Sequence, residues 1–234
     1  MRNRLYPALA LIALGAAGCQ AGSFNSASAK LDTDNQKASY AIGLDMGRSL
    51  RPAESHLDRA AFMRGLEDAL AKNDPAIPQE EIQAAMDKVG SQIRDEQQAK
   101  QAEAAQRNIE EGKKFLAENA QKEGVTTTES GLQYEVLREG DGPTPTADDQ
   151  VTIQYRGTLL DGTEFDSSYK RGQPATFGVG GVIPGFSEGL QLMSVGSKYR
   201  FVIPAALAYG PQGSGDVIEP NATLIFEVEL DSIK

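Results

Sequence analysis

The chain has 234 residues, enough for one large domain or two modest ones, and its 40% apolar and 24% charged content is that of an ordinary globular protein. Thirty-three acidic residues against 23 basic give a net charge of −10, which argues against a nucleic-acid partner, because phosphates demand clustered lysine and arginine. The one cysteine excludes a disulfide within the chain.

Residues 1–19, "MRNRLYPALALIALGAAGC", place Arg2 and Arg4 before a short apolar run that ends in small residues and Cys19. The run is too short to span a bilayer, which takes ~20 apolar residues, and its flanks are those of a secretory signal peptide. "GAAGC" resembles the bacterial lipobox, in which the cysteine receives a lipid and becomes the new N-terminus. Ala16 stands where that pattern most often has leucine. The other reading is an ordinary signal peptide cut after "SASA", at Ala29. With Gln20 rather than aspartate next to the cysteine, the lipobox resemblance implies an outer-membrane lipoprotein. It would face the periplasm or the cell surface and touch the membrane through its lipid only.

Residues 20–33, small and polar, read as a flexible tether. Residues 34–77 read as two short helices. The first starts at Asp34 as N-cap and runs to Leu50, where Pro52 stops it. The second, from Asp58 to Lys72, puts Phe62, Leu66, Ala69 and Leu70 on one face. Residues 78–123 contain only one proline, Pro78 at the start, and are rich in Ala, Gln, Glu and Lys, the composition of one long connecting helix. At ~1.5 Å per residue it would reach roughly 65 Å. Ile82, Met86, Val89 and Ile93 form a heptad-like seam. That seam packs on the two preceding helices, on a second subunit, or on both. "QQAKQAEAAQRN" has no large apolar residue and is expected to be solvated, and Ile109, Phe115 and Leu116 follow it.

From residue 124 to 234 the texture changes. "GLQYEVLREG", "VTIQYRGTL", "YRFVIP" and "TLIFEVEL" alternate or run in β-branched and aromatic residues between glycine, proline and aspartate. "LDGTEFDSS" reads as a hairpin with Asp161 and Gly162 at its turn. This half is therefore a mostly antiparallel β domain, and the chain as a whole is α+β. "GFSEGLQLM" is its only helical piece, and so the only cover available for the apolar face of a single sheet.

"GGVIPGFSEGL" sets Val182, Ile183 and Phe186 among glycines just before that helix. Large apolar residues in a loop either cap a core or floor a pocket that receives something apolar. The chemistry on offer is narrow. His56 is the only histidine, which leaves no Ser-His-Asp triad and no Cys/His zinc cluster. Gly178, Gly180 and Gly181 are followed by no Lys-Ser/Thr pair and form no nucleotide loop. An enzyme built from this domain works without nucleophile, metal or cofactor. Rotation about an X–Pro amide suits such a site. Its barrier of ~18–20 kcal/mol comes from C–N double-bond character, and the twisted transition state has lost that conjugation. An apolar pocket with a few fixed hydrogen-bond groups favours the twisted amide over the planar one that water stabilises.

"YRGTLLDGTEFDSS", "ALAYG" and "NATLIFEVEL", within a continuous match over residues 130–234, resemble the FKBP-type peptidyl-prolyl cis-trans isomerases. The preceding "EEGKKFLAENAQKEGVTTTESGLQYEVLREGDG" is similar to the junction of the bacterial Mip/FkpA-like subfamily. The resemblance implies a helical dimerisation region, a long connecting helix and a twisted antiparallel half-barrel wrapped on a short helix. It also implies proline-containing unfolded polypeptides as substrates, a homodimer, chaperone activity, and macrolide inhibitors of the pocket. Residue by residue, Tyr155, Asp166 and Tyr209 would be catalytic, with Tyr209 donating its hydroxyl to a substrate carbonyl. Phe165, Arg171, Val182, Ile183, Phe186, Val217, Ile218 and Phe226 would bind substrate, Ile183 through its backbone N–H. Phe186 stands where many members have tryptophan, Ala175 where some have phenylalanine, and Ser214 where some have histidine. Taken singly, Tyr155 and Phe226 read as core, Asp166 as a turn residue and Tyr209 as a loop anchor; together they match one family in order. A holdase chaperone or surface adhesion module that binds proline segments without turnover is the alternative.

Replacing Cys19 by serine should release the protein from membranes or stall its processing. Unchanged membrane partition and electrophoretic mobility of Cys19→Ser would sink the lipid anchor.

Overall fold

The structure, a computed structural model, describes residues 29–234. The expected signal segment, Cys19 and most of the tether lie outside the described residues. The chain divides into two compact units, Met1–Glu67 and Asp68–Lys234.

In the first unit, helix α1 (Asp34–Leu50) opens on a capping box. The Thr33 hydroxyl accepts the Gln36 N–H at 3.3 Å, and the Gln36 side chain accepts the Thr33 N–H at 3.0 Å. Thr33 is thus the cap. Asp34 sits one residue later, in the first turn, where the helix dipole favours its charge. Pro52 does not end the helical course at once. It starts a 3-10 turn, Arg51–His56, in which its missing N–H is no loss. Helix α2 (Arg59–Ala71) begins where the Asp58 carboxylate takes the Ala61 N–H at 2.9 Å. No residue of α1, the 3-10 turn or α2 is buried.

Helix α3 (Gln79–Asn119) opens the second unit's ordered elements, with Glu80 and Glu81 in its first turn. Along its seam Ile82, Val89 and Ile93 are half-buried and Met86 is 67% exposed. Its later turns are not a free rod. Ala104, inside the stretch expected to be solvated, is buried, as are Gly112 and Asn119. Arg107 and Asn108 bond to Glu219 and to the Pro220 carbonyl. Asn119 donates to the Gln133 side chain at 2.9 Å, and Gln133 donates onward to the Leu116 carbonyl at 2.8 Å. A small alanine at position 104 allows close approach, which apolar patterning alone does not reveal.

The β strands follow: β1 (Val125–Thr127), β2 (Gln133–Arg138), β3 (Gln150–Thr158), β4 (Glu164–Ser167), β5 (Ala175–Gly178), β6 (Lys198–Ile203) and β7 (Leu224–Ile233). They form one sheet in the order β1-β2-β6-β7-β3-β4, with β5 also on β3, and every pairing is antiparallel. Alternation sets the inner face. Leu224, Phe226, Val228 and Leu230 of β7 point inward beside Val151, Ile153 and Tyr155 of β3, while Glu227 and Glu229 face solvent. Each aliphatic side chain fully buried this way contributes about 1.5–3 kcal/mol relative to exposure.

Two helical turns serve the sheet. α4 (Ser168–Arg171), where the sequence gives no helical expectation, directly follows β4. α5 (Pro184–Leu190) covers the inner face and buries Phe186 and Leu190. It lies close because two of its four buried residues are glycines. A Cβ on Gly189 would stand 2.7 Å from the Phe201 ring, and one on Gly185 2.5 Å from Ile203.

β4 and β5 lie end to end on one edge of β3, pairing with Arg156–Thr158 and Gln150–Ile153 respectively. The ladder is broken between them. There the Ser168 hydroxyl, fully buried at the start of α4, accepts the Tyr155 N–H at 2.9 Å. An interruption that would orphan a buried N–H is thereby satisfied, and α4 is fixed against the middle of β3.

Candidate functional site

The face of the sheet left open by α5 is a cavity of about 690 Å³, within the range of small-ligand sites. Its floor is aromatic. Phe186 of α5, 4% exposed, meets Phe226 of β7 with ring centres 4.8 Å apart at 66°, and Tyr155 of β3 at 6.3 Å and 72°. Phe165 of β4 meets Phe226 edge-on at 5.4 Å. These are edge-to-face arrangements, the favourable ones for ring quadrupoles. Gly157 makes them fit: a Cβ there would lie 2.6 Å from the Phe165 ring and 2.9 Å from Phe226.

Val182 and Ile183 form one wall, at the entry to α5. The Ile183 carbonyl accepts the Phe186 and Ser187 N–H groups, each at 3.0 Å, while its own N–H donates to no protein group among the described residues. Tyr209 stands opposite, 39% exposed, with no side-chain hydrogen bond among the described residues. The loop beyond it supplies Ser214, Gly215, Asp216, Val217 and Ile218. Ser214 and Ile218 exchange backbone hydrogen bonds of 2.8 and 3.1 Å, which close that loop on itself.

Ten of the eleven pocket residues singled out in the sequence line this one cavity. Arg171 is the exception. It stands on α4 behind the wall and donates to the Tyr155 hydroxyl at 2.7 Å and to Asp166. Ala175, expected at the pocket edge, does not line it and instead packs, partly buried, against the core. Phe177, two residues on and on the same side of β5, does, and its ring meets Tyr155 at 5.7 Å. The period-two pattern of β5 carried that signal.

Tyr155, Asp166 and Arg171 form a closed triangle. Tyr155 donates its hydroxyl proton to one Asp166 oxygen; Arg171 and the Ser167 N–H donate to the other. Burial pushes the Tyr155 phenol up to about 12, helped by its bond to the carboxylate. For Asp166, burial would raise the carboxyl, but the Tyr155 hydroxyl and the Arg171 guanidinium outweigh it and hold it below the usual range. The carboxylate is therefore ionised and fully engaged, a fixed negative charge facing an apolar cavity.

Residues 35–136 match the family described as the domain amino terminal to FKBP-type peptidyl-prolyl isomerase, and residues 142–231 match FKBP-type peptidyl-prolyl cis-trans isomerase. The chain is 46% identical over 202 residues to the FKBP-type 22 kDa peptidyl-prolyl cis-trans isomerase of Escherichia coli, covering 85% of this chain and 95% of that one. It is 45% identical over 206 residues to the FKBP-type isomerase FkpA of Aeromonas hydrophila (85% and 76% covered). To the outer membrane protein MIP of Legionella longbeachae it is 39% identical over 204 residues (87% and 88%). The crystal structure of FkpA from Escherichia coli superimposes with a TM-score of 0.65 at 37% identity, covering 88% of this chain and 99% of that one.

The triangle has a pH signature. A carboxyl held below its unfolded value stabilises the fold above the unfolded pKa, and that stability is lost as pH falls through the folded pKa. The difference in thermal midpoint between the native protein and Asp166→Asn should stay constant from about pH 5 to about pH 9 and shrink below about pH 4. A difference that instead changes near neutrality would show that Asp166 is not held ionised by its neighbours.

Proposed function

This chain belongs to the FKBP-type peptidyl-prolyl cis-trans isomerases, and we propose that it turns over X–Pro bonds in the cavity between α5 and the Tyr209–Ile218 loop. The observation that carries this reading is the aromatic floor faced by two unengaged donors, the Ile183 N–H and the Tyr209 hydroxyl. A proline ring rests on Phe186 between Tyr155, Phe226 and Phe165. The donors hold the flanking carbonyls, and the apolar walls withdraw from the planar amide the water that stabilises it. Asp166, locked by Tyr155 and Arg171, supplies a fixed field at the rotating bond. No proton is transferred and no covalent bond forms, so nothing in the site has to titrate.

Tyr209→Phe, Asp166→Ala and Phe226→Ala should each lower kcat/KM on a short proline peptide, a tenfold loss corresponding to about 1.4 kcal/mol of transition-state stabilisation. Tyr209→Phe removes one half-exposed hydroxyl and should leave the thermal midpoint unchanged. Full activity in all three would move the site elsewhere.

The helical half points to a homodimer that acts as a chaperone. Among the described residues of the first unit, none of α1, the 3-10 turn or α2 is buried. Instead Met46, Leu50, Leu57, Phe62, Met63 and Leu66 line an open groove of about 860 Å³. Apolar helix faces without cover do not hold a fold in water, and a two-fold partner is the commonest cover. Two pockets in one particle would bind an unfolded client with raised effective concentration. A lipid on Cys19 would tether such a dimer to the bacterial outer membrane, a reading supported by the name of the Legionella relative; no described helix is long and apolar enough to cross a membrane.

Light scattering should show a dimer at micromolar concentration. The full chain should speed proline-limited refolding of a protein well beyond a fragment starting at residue 100, while the two match on a short peptide. A monomer, or equal refolding rates per pocket, would count against the dimeric chaperone.

A further inference from the structure

The wall that closes one side of the cavity is a loop. Between Gly210 and Thr223 it carries Ser214, Val217 and Ile218 against the pocket. Its internal bonds, Ser214 with Ile218 and the Asn221 N–H to the Gly210 carbonyl at 2.8 Å, fix its own shape. They do not fix how it leans toward the aromatic floor. Beside the core packing of Ile218, its return limb is held from outside by helix α3, through residues more than a hundred positions earlier in the chain. Arg107 donates to the Glu219 carboxylate at 2.6 Å. Asn108 donates to the same carboxylate oxygen at 3.3 Å and to the Pro220 carbonyl at 2.9 Å. One turn on, Gly112 lies so close to Thr223 that a Cβ would stand 2.5 Å from its hydroxyl. Glu219 and Pro220 directly follow Ile218, which is 8% exposed in the cavity wall.

From this arrangement we infer that α3 braces the substrate wall, and that Arg107 and Asn108 are positioning residues for the isomerase reaction. They touch neither cavity nor substrate and act through Glu219 and Pro220. The ion pair is half-exposed on both sides, 47% and 48%, so alone it is a weak contact. Its strength here comes from sharing: one carboxylate oxygen takes both donors, and Asn108 ties the adjacent backbone at the same time. The brace holds the wall in ground state and transition state alike, because wall contacts to a substrate flank do not change as the amide twists. Its loss therefore weakens uniform binding. It raises KM and leaves kcat, which the Asp166 triangle and the floor determine.

The inference rests on the pocket assignment above, and full-length protein with a short proline peptide tests it. Arg107→Ala and Asn108→Ala combined should raise KM about three- to tenfold with kcat within about twofold of native. Arg107→Lys should recover part of the loss, since it keeps a cation beside Glu219. Glu219→Gln should reproduce most of the Arg107→Ala effect and add little to it. Asn119→Ala breaks the other anchor of α3, its bond to Gln133, at a distance in sequence from the loop. It should lower the thermal midpoint with KM unchanged. A merely structural role for Arg107 and Asn108 would give the Asn119 pattern. Unchanged KM in the double variant while Asp166→Ala is impaired overturns the brace alone. Full activity of Asp166→Ala overturns the pocket assignment, and the brace with it.

Discussion

One mismatch of lengths organises the second unit. Its single sheet has one apolar face, and the helix that covers it, Pro184–Leu190, has seven residues, about 10 Å at 1.5 Å each. The central strand β7 has ten, about 33 Å. The cover cannot reach the whole face. Where it does reach, Gly185 and Gly189 bring it into contact and Leu190, Phe201 and Ile203 are fully or almost fully buried. At its edge, Phe186 packs on Phe226 and Tyr155 but leaves these two and Phe165 with one side unfilled, and that remainder is the cavity. The site is thus the uncompleted part of a core, which is why the same aromatic residues belong to both.

A chemical consequence follows from this origin. A core remnant offers apolar walls and few polar groups, and those present are either saturated or directed inward. Tyr155, Asp166 and Arg171 satisfy one another. The Ile183 N–H and the Tyr209 hydroxyl have no protein hydrogen-bond partner among the described residues. Such a site suits a reaction that exchanges no protons and forms no bonds, since environment alone has to distinguish a twisted amide from a planar one.

The two units differ in how far each completes itself. The second buries a continuous set of aliphatic and aromatic residues and satisfies the break in β3 through Ser168. The last turns of α3 belong to that packing through Gln133, Thr223 and the Glu219–Pro220 stem. A boundary drawn at residue 124, where the composition changes, separates side chains that the fold joins. In the first unit the helices are well capped, yet their apolar faces are at most half-covered and no residue of them is fully buried. Capping decides where a helix begins and ends; it supplies no core.

The sequence by itself determined most of the element types, though not the helical turn α4, and most of the lining of the candidate cavity. Period-two alternation in β3 and β7, the Asp161-Gly162 turn and a proline-free run over residues 79–122 are local signals, and each acts over a few residues. Ten pocket residues could be named because their order follows a known family. What only the tertiary structure decided is what lies across space. Phe177 rather than Ala175 reaches the cavity, since a side chain's reach depends on the opposite wall. Arg171 stands behind the pocket rather than in it, because Ser168 pins α4 to the gap in the β3 ladder. Ala104, Arg107 and Asn108 looked like a solvated helix face, because nothing in their own neighbourhood announces Glu219 and Pro220, over a hundred residues away. Local patterning reports which side of an element is apolar. Polar contacts between distant segments leave no such period, and they appear only once the chain has closed on itself.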